Sequence, residues 1–143
     1  MKILLDKGAL MPLRGHPDDA GLDLRAPYGF VIEPGDSVAI DTGVHAEIPT
    51  GFVGMLKSKS GLNVKHGITN EGVIDAGYTG SIVAKLYNHS KTVAVFEAGD
   101  KITQLVILPV YIPDELEVVD EIGELYNGLP TERGMCGFGS TGR

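Results

Sequence analysis

Cysteine is nearly absent: Cys136 is the only one in 143 residues. That excludes an internal disulfide and any cysteine-based metal site within one chain, and it makes a reducing compartment the default. Positive charge is scarce too, with 12 Lys and Arg against 19 Asp and Glu and a formal net charge of −7. A protein that grips nucleic acid through its overall field needs a broad basic surface, so that class of partner is excluded. A polyanionic ligand must instead be held by a local cluster of cations and backbone N–H groups. No apolar run approaches the length of a membrane span. The stretch "MKILLDKGAL" (1–10) starts apolar, but Asp6 and Lys7 break it before it reaches the length of a signal-peptide core. These absences point to a cytoplasmic protein with no membrane and no nucleic-acid partner. Sustained helical periodicity is also missing, as are the G-x-S-x-G, Walker and G-x-G-x-x-G patterns. His16, His45, His66 and His89 are scattered, without the spacing of metal ligands or of a nucleophile and its base.

What the chain does have is punctuation. Its 20 glycines and 8 prolines separate short pieces rich in Val, Ile, Leu and Tyr about every ten residues, the spacing of an all-β sandwich or barrel. "FVIEPGDSVAIDTG" (30–43) reads as strand, Pro-Gly turn, strand, and "VAVFEAGDKITQLVILPV" (93–110) repeats that layout with EAGD in place of EPGD. Shared turn chemistry explains the echo as well as a duplication does. The last strand of the second stretch is apolar on both faces and must be covered on both sides, by a second sheet or another subunit. "GFVGMLKS" (51–58) and "SIVAKLYN" (81–88) are further strands, and "SGLNVKHG" (60–67) is the best place for a helical turn. "DELEVVDEIGE" (114–124) reads as a solvated edge strand rather than a metal site. From Gly128 on, "GLPTERGMCGFGSTGR" has the composition of a mobile arm.

Five segments combine glycine-defined turns with polar side chains. "DAGLDLRAP" (19–27) sets Asp23 between two leucines and pointing away from their face; by itself the segment reads as a turn followed by a solvated aspartate. "KSKSGLN" (57–63) puts Lys57, Lys59 and Ser60 ahead of Gly61 at a helix start, where N–H, hydroxyl and ammonium donors suit a phosphate. "NEGVIDAGYTGSI" (70–82) forms a β-hairpin with Asp75 and Tyr78 at its mouth. An aspartate of ordinary pKa is ionised at neutral pH and able to take a proton from a positioned water. "GDKITQLVI" (99–107) sets Gln104 in an apolar strand, where its amide needs a partner. The tail "RGMCGFGSTG" (133–142) offers Arg133 as a phosphate donor, Phe138 as a stacking face and a glycine-rich backbone nest.

Together and in this order, the five segments resemble the trimeric dUTPase family, the dUTP nucleotide pyrophosphatases, from Ala20 to Gly142. "AGLDL" (20–24) is similar to the first family motif and "KSGL" (59–62) to the second, which is usually Arg-Ser-Gly-Leu. "GVIDAGY" (72–78), "GDKITQLVI" and "RGMCGFGSTG" are similar to the third, fourth and fifth. The resemblance implies a distorted jelly-roll, β-clip-like barrel over residues 1–127. It further implies a homotrimer in which a C-terminal arm, 128–143, closes over a neighbour's active site. The implied reaction is hydrolysis of dUTP to dUMP and pyrophosphate, with Mg²⁺ held mainly by the triphosphate and Asp23 reaching the metal through water. By the same resemblance Asp75 deprotonates the attacking water and Tyr78 packs on the deoxyribose. The backbone from Gly72 through Val73 and Ile74 pairs with the uracil edge, while Lys59, Ser60, Gly61 and Gln104 contact phosphates. Arg133 adds charge, Phe138 stacks over the base, and Gly139, Ser140, Thr141 and Gly142 close on the terminal phosphate.

Three positions depart from the family pattern. Lys59 replaces the usual arginine, a point charge in place of a bidentate fork. Gly77 stands where a second aspartate is frequent, and Cys136 where a glycine is usual. Two other functions compete: a dCTP deaminase-like enzyme of the same fold, whose chemistry calls for a glutamate base, and a non-catalytic β trimer that binds nucleotide or protein.

Overall fold

Ten short strands, one short α-helix and one 3₁₀ segment organise residues 1–135, the part of the chain that the computed structural model describes. They gather into two units, Met1–Tyr111 and a second beginning at Ile112. All ten strands belong to the first.

Six of these strands form one antiparallel sheet. Its order is β2 (Gly21–Arg25), β10 (Lys101–Pro109), β6 (Phe52–Lys57), β7 (Ile68–Ile74), β8 (Val83–Asn88) and β4 (Ser37–Asp41). The other four make two short ribbons, β1 (Ile3–Leu5) with β5 (Val44–Ala46), and β3 (Phe30–Ile32) with β9 (Ala94–Phe96). Each ribbon closes a core against one face of the sheet. Val44 and Ala46 pack with Leu24, Leu56, Ile74 and Leu105, and Ile32 and Phe96 with Ile40, Ile68, Leu86 and Ile102. A fully buried Leu or Ile contributes about 1.5–3 kcal/mol, so these two clusters set the sheet's register. Phe30 and Phe96 stack at 4.7 Å across the second ribbon.

The EPGD and EAGD turns are equivalent. Asp36 N–H donates to the Glu33 carbonyl and Asp100 N–H to the Glu97 carbonyl, each at 3.1 Å. The two strand–turn–strand units do not pair within themselves. They meet through their first strands, β3 against β9, and send their second strands, β4 and β10, into the large sheet.

Toward one end of β10, β6 and β7 the opposite face of that sheet is apolar as well. Val106, Met55 and Val73 stand in one row across β10, β6 and β7, with Leu108 and Val53 beside them. Val73 is 57% exposed and Leu108 44%, so no second sheet of the same chain supplies the cover that the doubly apolar strand calls for on this side.

The second unit corrects one expectation. Residues 114–124 form no strand; the chain stays irregular to Asp120 and enters a 3₁₀ segment at Ile122–Gly128. Glu121 and Glu124 form a reciprocal capping box there, so one carboxylate read as strand surface caps a helical turn. Tyr126 and Asn127 take positive φ of 56° and 55°, which ends the helical path.

Candidate active site

Strand register builds one half of the site. Across β2, β10, β6 and β7, the residues Asp23, Gln104, Lys57 and Glu71 stand directly opposite one another, and such residues project from one face. It is the face away from the core, because their neighbours Leu24, Leu105 and Leu56 are core members. Gly21 lies under the Gln104 side chain, where a Cβ would collide with the amide. Gln104 is thereby laid over β2, and its Nε2–H donates to the Ser58 carbonyl at 3.2 Å.

Asp23 is not the solvated aspartate that its segment alone predicts. The residue is 6% exposed, with the Lys59 ammonium on one carboxylate oxygen and the Lys101 ammonium on the other at 2.8 Å. Burial pushes the Asp23 carboxyl up, but hydrogen bonds from Lys101 and Lys59 and their positive charges outweigh it and hold the group below its ordinary value.

The helix α1 (Ser60–His66) starts at this cluster, where the sequence placed a helical turn. Lys59 is its extended N-cap (φ −72°, ψ 132°) and supplies no side-chain cap to the first-turn amides, which include those of Ser60 and Gly61. Lys65 and His66 occupy the last turn, where positive charge complements the helix dipole. A cleft of about 410 Å³ is lined by Asp19, Gly21, Asp23, Lys57, Lys59, Ser60 and Gln104. Asp23, Lys59, Ser60 and Gln104 therefore converge, with Gly61 one residue behind.

The second half is the hairpin, and it is open. β7 pairs with β8 only through Ile68, Thr69 and Asn70, and from Glu71 on its registered partner is β6. The returning arm leaves it: Ile82 N–H donates to the Val44 carbonyl at 2.8 Å, and the Ile82 carbonyl accepts from Thr42 N–H at 3.0 Å. The main-chain edge of Gly72, Val73 and Ile74 on the mouth side thus has no strand against it. Asp75 is exposed just past Ile74. Its carbonyl accepts the Tyr78 N–H at 3.2 Å, and the Tyr78 hydroxyl donates to the Ser81 carbonyl at 3.1 Å.

These halves lie at opposite ends of one strand pair. Glu71 faces Lys57 beside the cleft, whereas Ile74 faces Gly54, so Asp75 is roughly 13 Å further along the strand direction at about 3.3 Å per residue. Within a single chain the carboxylate and the cationic cleft do not meet. Arg133 belongs to the second unit and is exposed. Cys136, Phe138, Gly139, Ser140 and Thr141 lie outside the described residues.

The family model for dUTPase matches residues 7–142. This chain belongs to the dUTPase family. Among its curated relatives is a deoxyuridine 5'-triphosphate nucleotidohydrolase of Gloeothece citriformis, 42% identical and covering 96% of this chain and 92% of that one. Another, from Escherichia phage T5, is 40% identical and covers 99% and 98%. Among solved structures, a Staphylococcus bacteriophage 80alpha mutant dUTPase with dUpNHpp superposes with a TM-score of 0.87 at 33% identity, over 99% of this chain and 98% of that one. A mutant dUTPase from phage phi11 of S. aureus, described with a structural Mg(II) ion, superposes with a TM-score of 0.77 at 33% identity, over 85% and 97%. The likeness confirms the jelly-roll architecture of the all-β subunit; neither the deaminase nor the non-catalytic alternative is favoured.

The dUTPase motifs account for some departures and leave others. Gly77 has φ +86°, a left-handed geometry that suits glycine, so the turn itself explains its presence. Lys101 is the residue of this cluster that the motif reading passed over. It stands in "GDKITQLVI" three residues before Gln104, and an irregularity in β10 between Lys101 and Thr103 brings it back to Asp23. No local pattern announces that bulge. The basic residue followed by an apolar strand was the available signal.

For the metal that the family resemblance implies, the donor set is informative. Both Asp23 oxygens are engaged by lysines, and among the described residues no three His, Cys, Asp or Glu side chains come together as a metal site. These residues fit an ion carried on the phosphates rather than one caged by protein.

Proposed function

We propose that this chain hydrolyses dUTP to dUMP and pyrophosphate as a cytoplasmic homotrimer, limiting uracil incorporation into DNA and supplying dUMP for dTMP synthesis. The observation that carries the reading is the division of the site: a lysine-lined cleft at one end of the β6–β7 pair and an unpaired hairpin edge with Asp75 and Tyr78 at the other. Two subunits complete one site by setting the hairpin of the first beside the cleft of the second. The uncovered row of Val106, Met55 and Val73 supports an interface between copies.

In this arrangement the main chain of Gly72, Val73 and Ile74 pairs with the uracil edge, and the hairpin walls leave no room for a 5-methyl group. Tyr78 packs on the deoxyribose and excludes a 2′-hydroxyl. Lys59 leaves Asp23 for the phosphates, joined by Ser60, the Gly61 backbone and the Gln104 amide, while Lys101 keeps Asp23 in place. Asp23 would hold a water of a Mg²⁺ ion carried on the triphosphate, and that ion would supply neutralisation of the charge that otherwise repels a nucleophile. Asp75 takes a proton from water as the water oxygen bonds to the α-phosphorus. The bond from that phosphorus to the bridging oxygen breaks, and pyrophosphate leaves. Arg133, Phe138, Gly139, Ser140 and Thr141 act from a neighbour's arm, 128–143, the first on phosphate, the second over the base, the rest on the terminal phosphate.

The test is one assay of pyrophosphate and ammonia release from dUTP, dTTP, dCTP and UTP with Mg²⁺. Turnover of dUTP with strong preference over the other three is expected. Ammonia from dCTP would assign a deaminase, and no turnover of any substrate a binding protein. A chain ending at Thr131 should keep its oligomeric state and lose most activity; full activity would remove the arm from the mechanism. For the assembly, light scattering should give three subunits, and Met55→Asp should yield monomers because it charges the middle of the apolar row. A monomeric native protein would refute the shared site.

A further inference from the structure

In sequence His45 is a histidine without a motif, but in the fold it joins three elements. It projects from β5, and its Nδ1–H donates to the Thr79 carbonyl at 2.8 Å. Its Nε2 faces Asp6 Oδ1 at 3.3 Å, just beyond the end of β1. The side chain is 21% exposed, and Nε2 itself is enclosed with no aligned hydrogen bond.

Those two neighbours determine the chemistry of the ring. A carbonyl only accepts, so Nδ1 must carry a proton; a neutral ring then turns its Nε2 lone pair toward a carboxylate. Protonation at Nε2 converts that repulsion into an ion pair. The surrounding charge favours the same outcome. Asp6 lies on the β1 side and Asp41 ends β4, while Lys2 and Glu47 at the rim are paired to each other at 3.2 Å. The bond to the Thr79 carbonyl, opposed by burial and reinforced by Asp6 and Asp41, raises His45 above its ordinary 6.5.

Thr79 is the residue after Tyr78. The Tyr78 amide and hydroxyl bond within their own turn, to the Asp75 and Ser81 carbonyls, so they shape the turn without fixing it to the sheet. Ser81 is anchored to Asp41 at 2.9 Å, and His45 supplies the matching anchor on the Tyr78 side. We propose that His45 is a positioning residue for sugar selection, a protonated tie that fastens the Tyr78–Thr79 turn to the β1–β5 ribbon and so holds Tyr78 against the deoxyribose. This rests on the reading of Tyr78 as the sugar wall. With His45 charged the wall is fixed; with it neutral, the ring and Asp6 repel and the wall yields to a ribose. The sign follows from the raised value: the Nδ1–H bond to Thr79 is present in both states, whereas the ion pair with Asp6 that locks the ring is complete below pH 6.5 and is lost as pH rises through the higher folded value.

The experiment is the ratio of kcat/KM for dUTP to that for UTP, measured from about pH 6 to 8.5 on the full chain, where titration of the triphosphate is common to both substrates and cancels. The wild-type ratio should fall about tenfold as pH rises, the worth of one hydrogen bond of ordinary net strength, and in His45→Gln it should be low and flat. A flat wild-type ratio, or a parallel fall in His45→Gln, overturns the proposal. If His45→Gln does not fold, Asp6→Asn keeps the histidine and should move the inflection to lower pH; an unmoved inflection counts against the tie. NMR titration of His45 in the nucleotide-free protein separates the two readings. Should dUTP prove not to be hydrolysed, the functional reading fails alone, whereas a His45 that titrates below 6.5, or ignores Asp6→Asn, removes the tie itself.

Discussion

Asp75→Asn should reduce dUTP turnover by about 10²–10⁴-fold, the range a positioned base contributes, with nucleotide affinity close to native. The substitution keeps the shape of the side chain and removes its basicity. The turn does not depend on that carboxylate, because it is the Asp75 backbone carbonyl that accepts from Tyr78 N–H, and the side chain is exposed. Thermal stability should therefore stay unchanged. Single-turnover pyrophosphate release measures the first quantity, and calorimetric titration with a non-hydrolysable dUTP analogue the second. Turnover within tenfold of native would show that another group takes the proton. A parallel loss of affinity would place Asp75 in binding instead.

Lys59→Met should lower kcat/KM for dUTP by about 10²–10³-fold, the cost of one donor aimed at developing charge, and should change acid stability as well. The lysine has two positions in the proposed cycle, on Asp23 in the free protein and on phosphate in the complex. Methionine keeps much of the stem's volume and removes both ion pairs. Asp23 then retains Lys101 at 2.8 Å, while its burial penalty is opposed by one ammonium fewer. In the native protein the depressed Asp23 carboxyl contributes stability that is complete above 3.8 and is lost as pH falls through the lower folded value. In Lys59→Met that loss should begin at higher pH, read as the urea midpoint against pH. Lys59→Arg keeps the charge and should recover most activity, which would make the family's arginine a refinement in geometry. Native activity in Lys59→Met would exclude the lysine from phosphate binding.

The polar residues of the site were legible in sequence; their partners were not. Asp23, Ser60, Gln104, Asp75 and Tyr78 each stand beside glycine, within an apolar strand or just past the end of one, where a polar group invites a reason. Which of them meet depends on long-range register, and register follows from how the two ribbons close on the sheet. Thus Asp23 read as solvated from its own neighbours, yet β10, Lys101 and the helix N-cap Lys59 enclose it. Lys101 reaches it through a bulge that leaves no local mark. The strand expected over 114–124 failed for a related reason: alternating side chains need a neighbouring strand to pair with, whereas Glu121 and Glu124 satisfy each other's backbone within one turn. The open hairpin was half legible. Its turn residues identified it, but nothing in "NEGVIDAGYTGSI" announces that pairing stops at Asn70.

That early stop has a consequence for resistance. A base read by the free edge of Gly72, Val73 and Ile74 is read by peptide atoms that nearly every residue possesses. Exchange of side chains there leaves the donor and acceptor pattern intact, and only proline would delete a donor. Four register pairs with β6 hold the edge in place, and a slip by one residue would turn Ile74 out of the core. An inhibitor that copies the uracil edge would therefore face a surface whose hydrogen bonds point mutation has little means to rewrite, and escape would have to arise in the walls around it.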